Sequence, residues 1–283
     1  MVVFKIKVAT LKRVVGALKP LVDWVPLCFN SDRLRIASMD CAHVALVDCF
    51  FPPSFFALYH CGKPMKTRVK TSDLMRVLST RADPDSLVTF ALEHDKKFAT
   101  MYVHDTVSGV SMCYDIQVDD APHDELGVPH WISDIEVVMP SRVYRACLMD
   151  MIKCGSIGLL RLLPNGAFTF AVEMRESKPF AATMSGGHLL NEKSKMREQS
   201  ISVRYMRYFV RRDVLAENVR ISILDDYPLR VDYAMEGGAT VAFYLAPRFG
   251  LEKNDPYTFA GDSTKRTADR LPDAVKRQKV DHS

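Results

Sequence analysis

Asp40 and His43, in the stretch SMDCAHVALVDC at 38–49, stand three positions apart at the head of an apolar run. An acid and an imidazole at that spacing could work as a catalytic pair, give two ligands to a metal, or form the polar rim of a surface that does no chemistry. A metal site needs three or four converging ligands. The neighbourhood of Asp40 and His43 offers neither an H-x-x-x-H pattern nor a carboxylate cluster. The 7 cysteines include no C-x-x-C spacing, and their odd number fits reduced, mostly buried thiols better than a disulfide framework or a zinc site. No glycine-rich phosphate loop and no G-x-S-x-G elbow occurs. The sequence therefore points away from catalysis and asks for no cofactor or metal.

A second kind of chemistry lies in charged helix faces. At about 100° per residue, Arg204, Arg207 and Arg211 fall in one arc, opposite Val203, Met206, Phe209 and Val210. A helix from Ser141 sets Arg142, Arg145 and Lys153 against Val143, Tyr144, Cys147, Leu148 and Met151. A helix beginning near Thr10 sets Lys12, Arg13 and Lys19 against Leu11, Val14, Val15 and Leu18. A weaker helix at 72–79 has only Arg76, opposite Leu74, Val77 and Leu78. Surface helices ordinarily interleave Lys and Arg with acids at i,i+4, and three of these four have almost none on the polar side. A shared polyanion is the simplest compensation, and contacts to phosphate position a duplex without reading its sequence. No zinc finger or RNP-type motif is present to read bases.

The elements that position these groups repeat. The helix near Thr10 has a counterpart near Ser141, an offset of about 131. The helix at 72–79 and the strand at 87–90 recur at 204–211 and 219–222, offset 132. Strand-type runs at 34–49, 108–118, 166–173, 219–224 and 229–244 alternate with turns, and Glu236-Gly237-Gly238 makes a hairpin turn in the last. The fold class is α+β, with two similar domains of antiparallel sheet and about two helices each. We place them at 1–118 and 134–250, joined by a Pro- and acid-rich linker at 119–133. From 251 to 283 the chain is polar and broken by Pro256 and Pro272, and reads as a disordered tail. Lys265-Arg266 and the Lys276, Arg277, Lys279 cluster within it have the spacing of a bipartite nuclear-import signal. Lys5, Lys7, Lys12 and Arg13 interrupt the stretch where a signal peptide would be apolar, and no apolar run of about 18 residues occurs. The expectation is an intracellular chain with no membrane span.

SMDCAHVALV, LYHC at 58–61, ELGVP at 125–129, VVMPS at 137–141, DYPLRVDY at 226–233 and FYLAPR at 243–248 resemble, in order and spacing, the proliferating cell nuclear antigen family of DNA sliding clamps. The resemblance covers about residues 1–250. It implies the DNA-clamp fold, three chains closing a homotrimeric ring, and four helices per chain lining the hole around double-stranded DNA. It further implies edge strands at 108–118 and about 178–184 pairing between chains, and a clamp loader as partner. The resemblance places a pocket for short peptides of DNA polymerase and other replication enzymes at Met39, Asp40, His43, Val44, Leu46, Leu126, Val128, Pro228, Tyr244, Leu245, Ala246 and Pro247. His43 is then a hydrogen-bonding group on the rim and not a base.

Some residues depart from the family's pattern. Its eukaryotic members are strongly acidic, whereas this chain carries +4, of which the body holds about +3. Lys63, Lys66, Arg68 and Lys70, then Lys193, Lys195 and Arg197, add charge in two expected loops. An open monomeric or dimeric processivity factor that grips DNA by direct electrostatic contact is the alternative this charge suggests. A checkpoint-clamp subunit is another.

Overall fold

The computed structural model describes residues 1–79, 83–119, 126–128, 135–162, 168–172, 180–184, 188–189, 197–210, 215–224 and 227–248. Arg211, Lys193, Lys195 and the tail residues Lys265, Arg266, Lys276, Arg277 and Lys279 lie outside the described residues. The first half runs β1 (Val2–Lys7), α1 (Val8–Leu18), β2 (Trp24–Asn30), β3 (Arg33–Met39), β4 (Ala45–Phe51), β5 (Leu58–Cys61), β6 (Met65–Lys70), α2 (Thr71–Leu78), β7 (Leu87–Leu92), β8 (Phe98–His104) and β9 (Ser111–Asp119). The second half repeats the order: β10 (Ile135–Pro140), α3 (Ser141–Cys154), β11 (Ile157–Leu162), β12 (Phe168–Val172), β13 (Phe180–Met184), β14 (His188–Leu189), β15 (Arg197–Ser202), α4 (Val203–Met206), β16 (Asn218–Ile223), β17 (Leu229–Ala234) and β18 (Thr240–Leu245). Among the described residues no helix is long and apolar enough to cross a membrane.

The duplication extends to single hydrogen bonds. Each helix follows a strand without a loop, so its first N–H has no partner in its own helix. Val8 N donates to Ser86 O at 2.8 Å and Ser141 N to Glu217 O at 2.8 Å. Thr71 N donates to Asp23 O at 2.9 Å and Val203 N to Ser156 O at 3.0 Å. The same donor position reaches the same neighbouring segment in both halves.

Strand alternation sets the layers. In β1, Val2, Phe4 and Ile6 are buried while Val3, Lys5 and Lys7 point outward, and Phe4 stacks on Phe90 of β7 at 4.9 Å. Helix α1 lays Leu11, Val14 and Val15 against Val25, Leu27, Leu34 and Ile36, leaving an apolar cavity of about 30 Å³. The helix stops at Leu18, where Pro20 lacks the N–H needed to continue it. The expected strand at 34–49 is two strands, because residues 40–44 turn between β3 and β4.

One ladder joins the halves. β18 pairs antiparallel with β4 from Thr240 opposite Phe50 to Leu245 opposite Ala45, giving a sheet of 14 strands; β13, β12, β11 and β15 form a separate sheet of four. Strand β18 shows why the two faces differ. Its Phe243 faces inward and stacks on Phe209 at 4.9 Å, which seats the end of α4 on the inner face. Its neighbour Tyr244 points outward and packs with Leu46, Ala242, Met39 and Val128. Helices and linker therefore occupy opposite sides of the same strands.

Candidate functional site: a basic inner face and an outer apolar pocket

The four helices carry their cations unequally. Lys12, Lys19, Arg142, Arg204 and Arg207 are exposed, and Arg145 is half-buried. No acid lies within ion-pair distance of them among the described residues. Arg13 is half-buried and bonds Thr10 Oγ1 at 3.5 Å. Two expected cations have acids beside them on their own helices: Arg76 pairs with Asp73 at 3.3 Å and Lys153 with Asp150 at 2.9 Å. The near absence of acids on the polar faces therefore holds for α1 and α4 and not for α3. Val143, expected in the core, is 48% exposed, because the face α3 buries runs through Ser141, Tyr144, Leu148 and Met151. The expected helix at 204–211 is a single α turn, Val203–Met206, followed by a 3₁₀ turn, Arg207–Phe209.

The outer apolar cluster is assembled by register. Met39 sits opposite Leu46, Leu46 opposite Tyr244 and Tyr244 opposite Arg230, whose guanidinium carbon lies 5.7 Å from the Tyr244 ring centre. Burial pushes the Tyr244 hydroxyl up to about 12, so it stays protonated at neutral pH. Val128 packs on this cluster from the linker, and Leu126, two residues earlier, is half-buried. Ala246 N donates to Val44 O at 2.9 Å. Leu229 pairs with Leu245, which puts buried Pro228 level with Ala246, and Pro247 follows half-buried.

The acid and imidazole of the opening motif separate. Asp40 is only 7% exposed. Its Oδ1 accepts from Val44 N at 2.8 Å and Ala45 N at 2.7 Å, and its Oδ2 from Ala42 N at 3.2 Å. Tyr205 of α4 donates its hydroxyl to the same Oδ2 at 2.9 Å. Asp40 thus templates the turn 41–44, the local role an aspartate takes at a turn. His43 lies exposed in the left-handed region at φ 57°. Sequence reasoning placed Asp40 in the pocket without its part in the turn, and omitted Tyr205 and Ala242. The aspartate heading a turn and the period-2 spacing of Ala242 and Tyr244 were usable signals; Tyr205, 165 positions from Asp40, had none.

Of the extra basic residues, Lys66, Arg68 and Lys70 lie on β6 and not in a loop. Arg68 pairs with Asp119, and Arg68 and Lys70 approach the Trp24 ring centre at 5.0 and 5.2 Å. The cysteines are all free, but only Cys49 is buried, and Cys41 and Cys113 are exposed. No group of three or more metal-ligating side chains occurs among the described residues.

The N-terminal domain model of proliferating cell nuclear antigen matches residues 1–124, and the C-terminal domain model matches 190–248. The proliferating cell nuclear antigen of Chaetomium thermophilum is 24% identical over 252 residues, 85% of this chain and 95% of that protein. Proliferating cell nuclear antigen 2 of Drosophila melanogaster is 24% identical over 257 residues, 87% and 95% of the two chains. With a duplicated sheet carrying basic helices on one face and an apolar cluster on the other, the chain belongs to the proliferating cell nuclear antigen family of DNA sliding clamps.

Proposed function

We propose that this sliding clamp and polymerase processivity factor works as a homotrimeric ring. It threads duplex DNA past Lys12, Arg142, Arg204 and Arg207, and it receives client peptides at Met39, Leu46, Val128 and Tyr244. Domain limits of 1–118 and 134–250, loading by a clamp loader, and nuclear import through the tail clusters belong to the same reading. A family of non-enzymatic scaffolds agrees with a site whose one buried acid is committed to a turn and a tyrosine.

The internal duplication carries the ring. Strand β4 meets β18 within the chain, and following the ladders residue by residue makes Ser111 the counterpart of Thr240 and Thr183 the counterpart of Phe50. Strands β9 and β13 are therefore the equivalents of β18 and β4. β13 ends its four-stranded sheet, and β9 pairs with β6 only through Val118 and Asp119. Copying the β18–β4 register onto a neighbouring copy sets Ser111 opposite Thr183 and Cys113 opposite Ala181. A contact between two different surfaces is head-to-tail and closes only when its rotation suits a ring. Covering both edges also removes a liability that open strands carry.

The register gives the test. Directly opposed residues of an antiparallel pair are about 4.5–5.5 Å apart at Cα, within disulfide range. Ala181→Cys should cross-link to native Cys113 on mild oxidation and give covalent trimers, while adding Cys113→Ser should abolish them. Sedimentation at micromolar concentration should give three times 32.0 kDa, and the loaded protein should stay on closed circular DNA and run off when the circle is cut. A monomer or dimer held equally by linear and circular DNA would overturn the ring in favour of an open, charge-held clamp.

A further inference from the structure

Helix α4 and the turn 41–44 belong to different halves and to opposite functions, yet one hydrogen bond joins them. Tyr205 lies between Arg204 and Arg207 on α4 and gives its hydroxyl to Asp40 Oδ2 at 2.9 Å. The same carboxylate holds Ala42, Val44 and Ala45, and Val44 O in turn accepts from Ala246 at the end of the pocket. On the other side, the Tyr205 ring meets Tyr208 edge to face, 5.8 Å between centres. Tyr208 lies close enough to the Arg204 guanidinium to raise it above its ordinary value. An unbroken run of contacts thus leads from an inward cation to the outer pocket. Burial, with the Asp40 carboxylate adding to it, pushes the Tyr205 hydroxyl up to about 12, so it remains a donor throughout the neutral range.

A helix of one α turn and one 3₁₀ turn cannot sustain itself, since its nucleation is not recovered by propagation. Its position comes from outside bonds, and the bond to Asp40 ties it to the pocket's own turn. A duplex held by Arg204 and a peptide held beside residues 41–44 would each fix this same short element, so each lowers the cost of ordering it for the other.

We propose that Tyr205 and Asp40 are positioning residues that couple duplex contact on α4 to peptide affinity at the outer pocket, making the two ligands bind cooperatively. The proposal rests on the functional reading above for both surfaces. Reciprocity requires the factor by which duplex tightens peptide to equal the factor by which peptide tightens duplex.

The test uses the full chain, a fluorescent synthetic peptide bearing one aromatic and one aliphatic anchor, and a short linear duplex. For the native chain, saturating duplex should lower the peptide Kd about fivefold or more, and saturating peptide should lower the duplex Kd by the same factor. Tyr205→Phe removes only the hydroxyl and keeps the ring contact with Tyr208. It should bring both factors close to one while peptide binding itself persists. A merely structural role would lower the melting temperature of Tyr205→Phe and leave both factors as in the native chain, which overturns the coupling. Equal peptide Kd with and without duplex in the native chain overturns it too. Failure of the peptide to bind the native chain at all is a different result, because it removes the pocket assignment and the coupling with it.

Discussion

Replacing Arg204 and Arg207 with Ala tests the inner face most directly, since both are exposed and neither has an acid partner among the described residues. Each phosphate contact contributes about 0.9 to the slope of log K against log salt. If both arginines of one copy reach phosphates, the double substitution should flatten that slope by about 1.8. Taken from 1 M down to 0.1 M salt, this equals about 60-fold weaker duplex binding for each copy in contact. Arg76→Ala and Lys153→Ala should each do less, because Asp73 and Asp150 already screen those charges at 3.3 and 2.9 Å. The assay is a salt titration of duplex binding with a melting curve on each variant. Exposed side chains opposite Val203, Met206 and Phe209 hold little of the core, so melting should move by no more than a degree or two. An unchanged slope in a folded double variant would refute the assignment of this face to DNA.

Three further expectations follow from named contacts. Leu126→Ala with Val128→Ala removes the half-buried Leu126 side chain and the Val128 side chain packed on Leu46, Ala242 and Tyr244, and should weaken an aromatic–aliphatic peptide by about 5- to 30-fold in calorimetry, leaving the duplex salt slope unchanged; equal affinity would remove the linker from the pocket. Phe243→Ala takes away a fully buried ring stacked on Phe209 at 4.9 Å and should cost about 3–5 kcal/mol in denaturant unfolding; a loss below 1 kcal/mol would contradict the packing described for α4. Ser108 and the Val107 and Ser86 groups hydrogen-bond Asp105 and hold its carboxyl below the usual carboxylate range, Ser108 contributing most. The folded value being depressed, this stabilisation is fully present above the unfolded value of about 4 and is lost below it, as pH falls through the folded value; the protection of Gly109, whose N–H donates to Asp105 O at 2.9 Å, measured against its intrinsic exchange rate at each pH, should fall on that descent, and no change in protection would dismiss the carboxylate as the clasp of this turn.

What the sequence determined by itself is local and periodic. The alternation in TVAFYL required β18 to have two unlike faces, and Phe243 and Tyr244 do serve different sides. The arcs of Lys12, Arg142, Arg204 and Arg207 follow from helical geometry alone, and the near-constant offset between matching helices announced the duplication before any ladder was traced. The pairing of Arg76 with Asp73 and of Lys153 with Asp150 is legible too, as i,i+3 spacing. Only the tertiary structure decided which residues from distant segments meet. That Leu46 faces Tyr244 depends on the β4–β18 register, and a slip of one residue would turn every side chain to the opposite face. That the Asp40 carboxylate serves a tyrosine as well as its own turn depends on α4 being delivered from the other half of the chain. Val143 escaped the core because the stripe α3 buries is set by the sheet it lies on, not by its own hydrophobicity. Periodicity fixes the faces of an element; long-range pairing, which no local pattern encodes, fixes what each face touches.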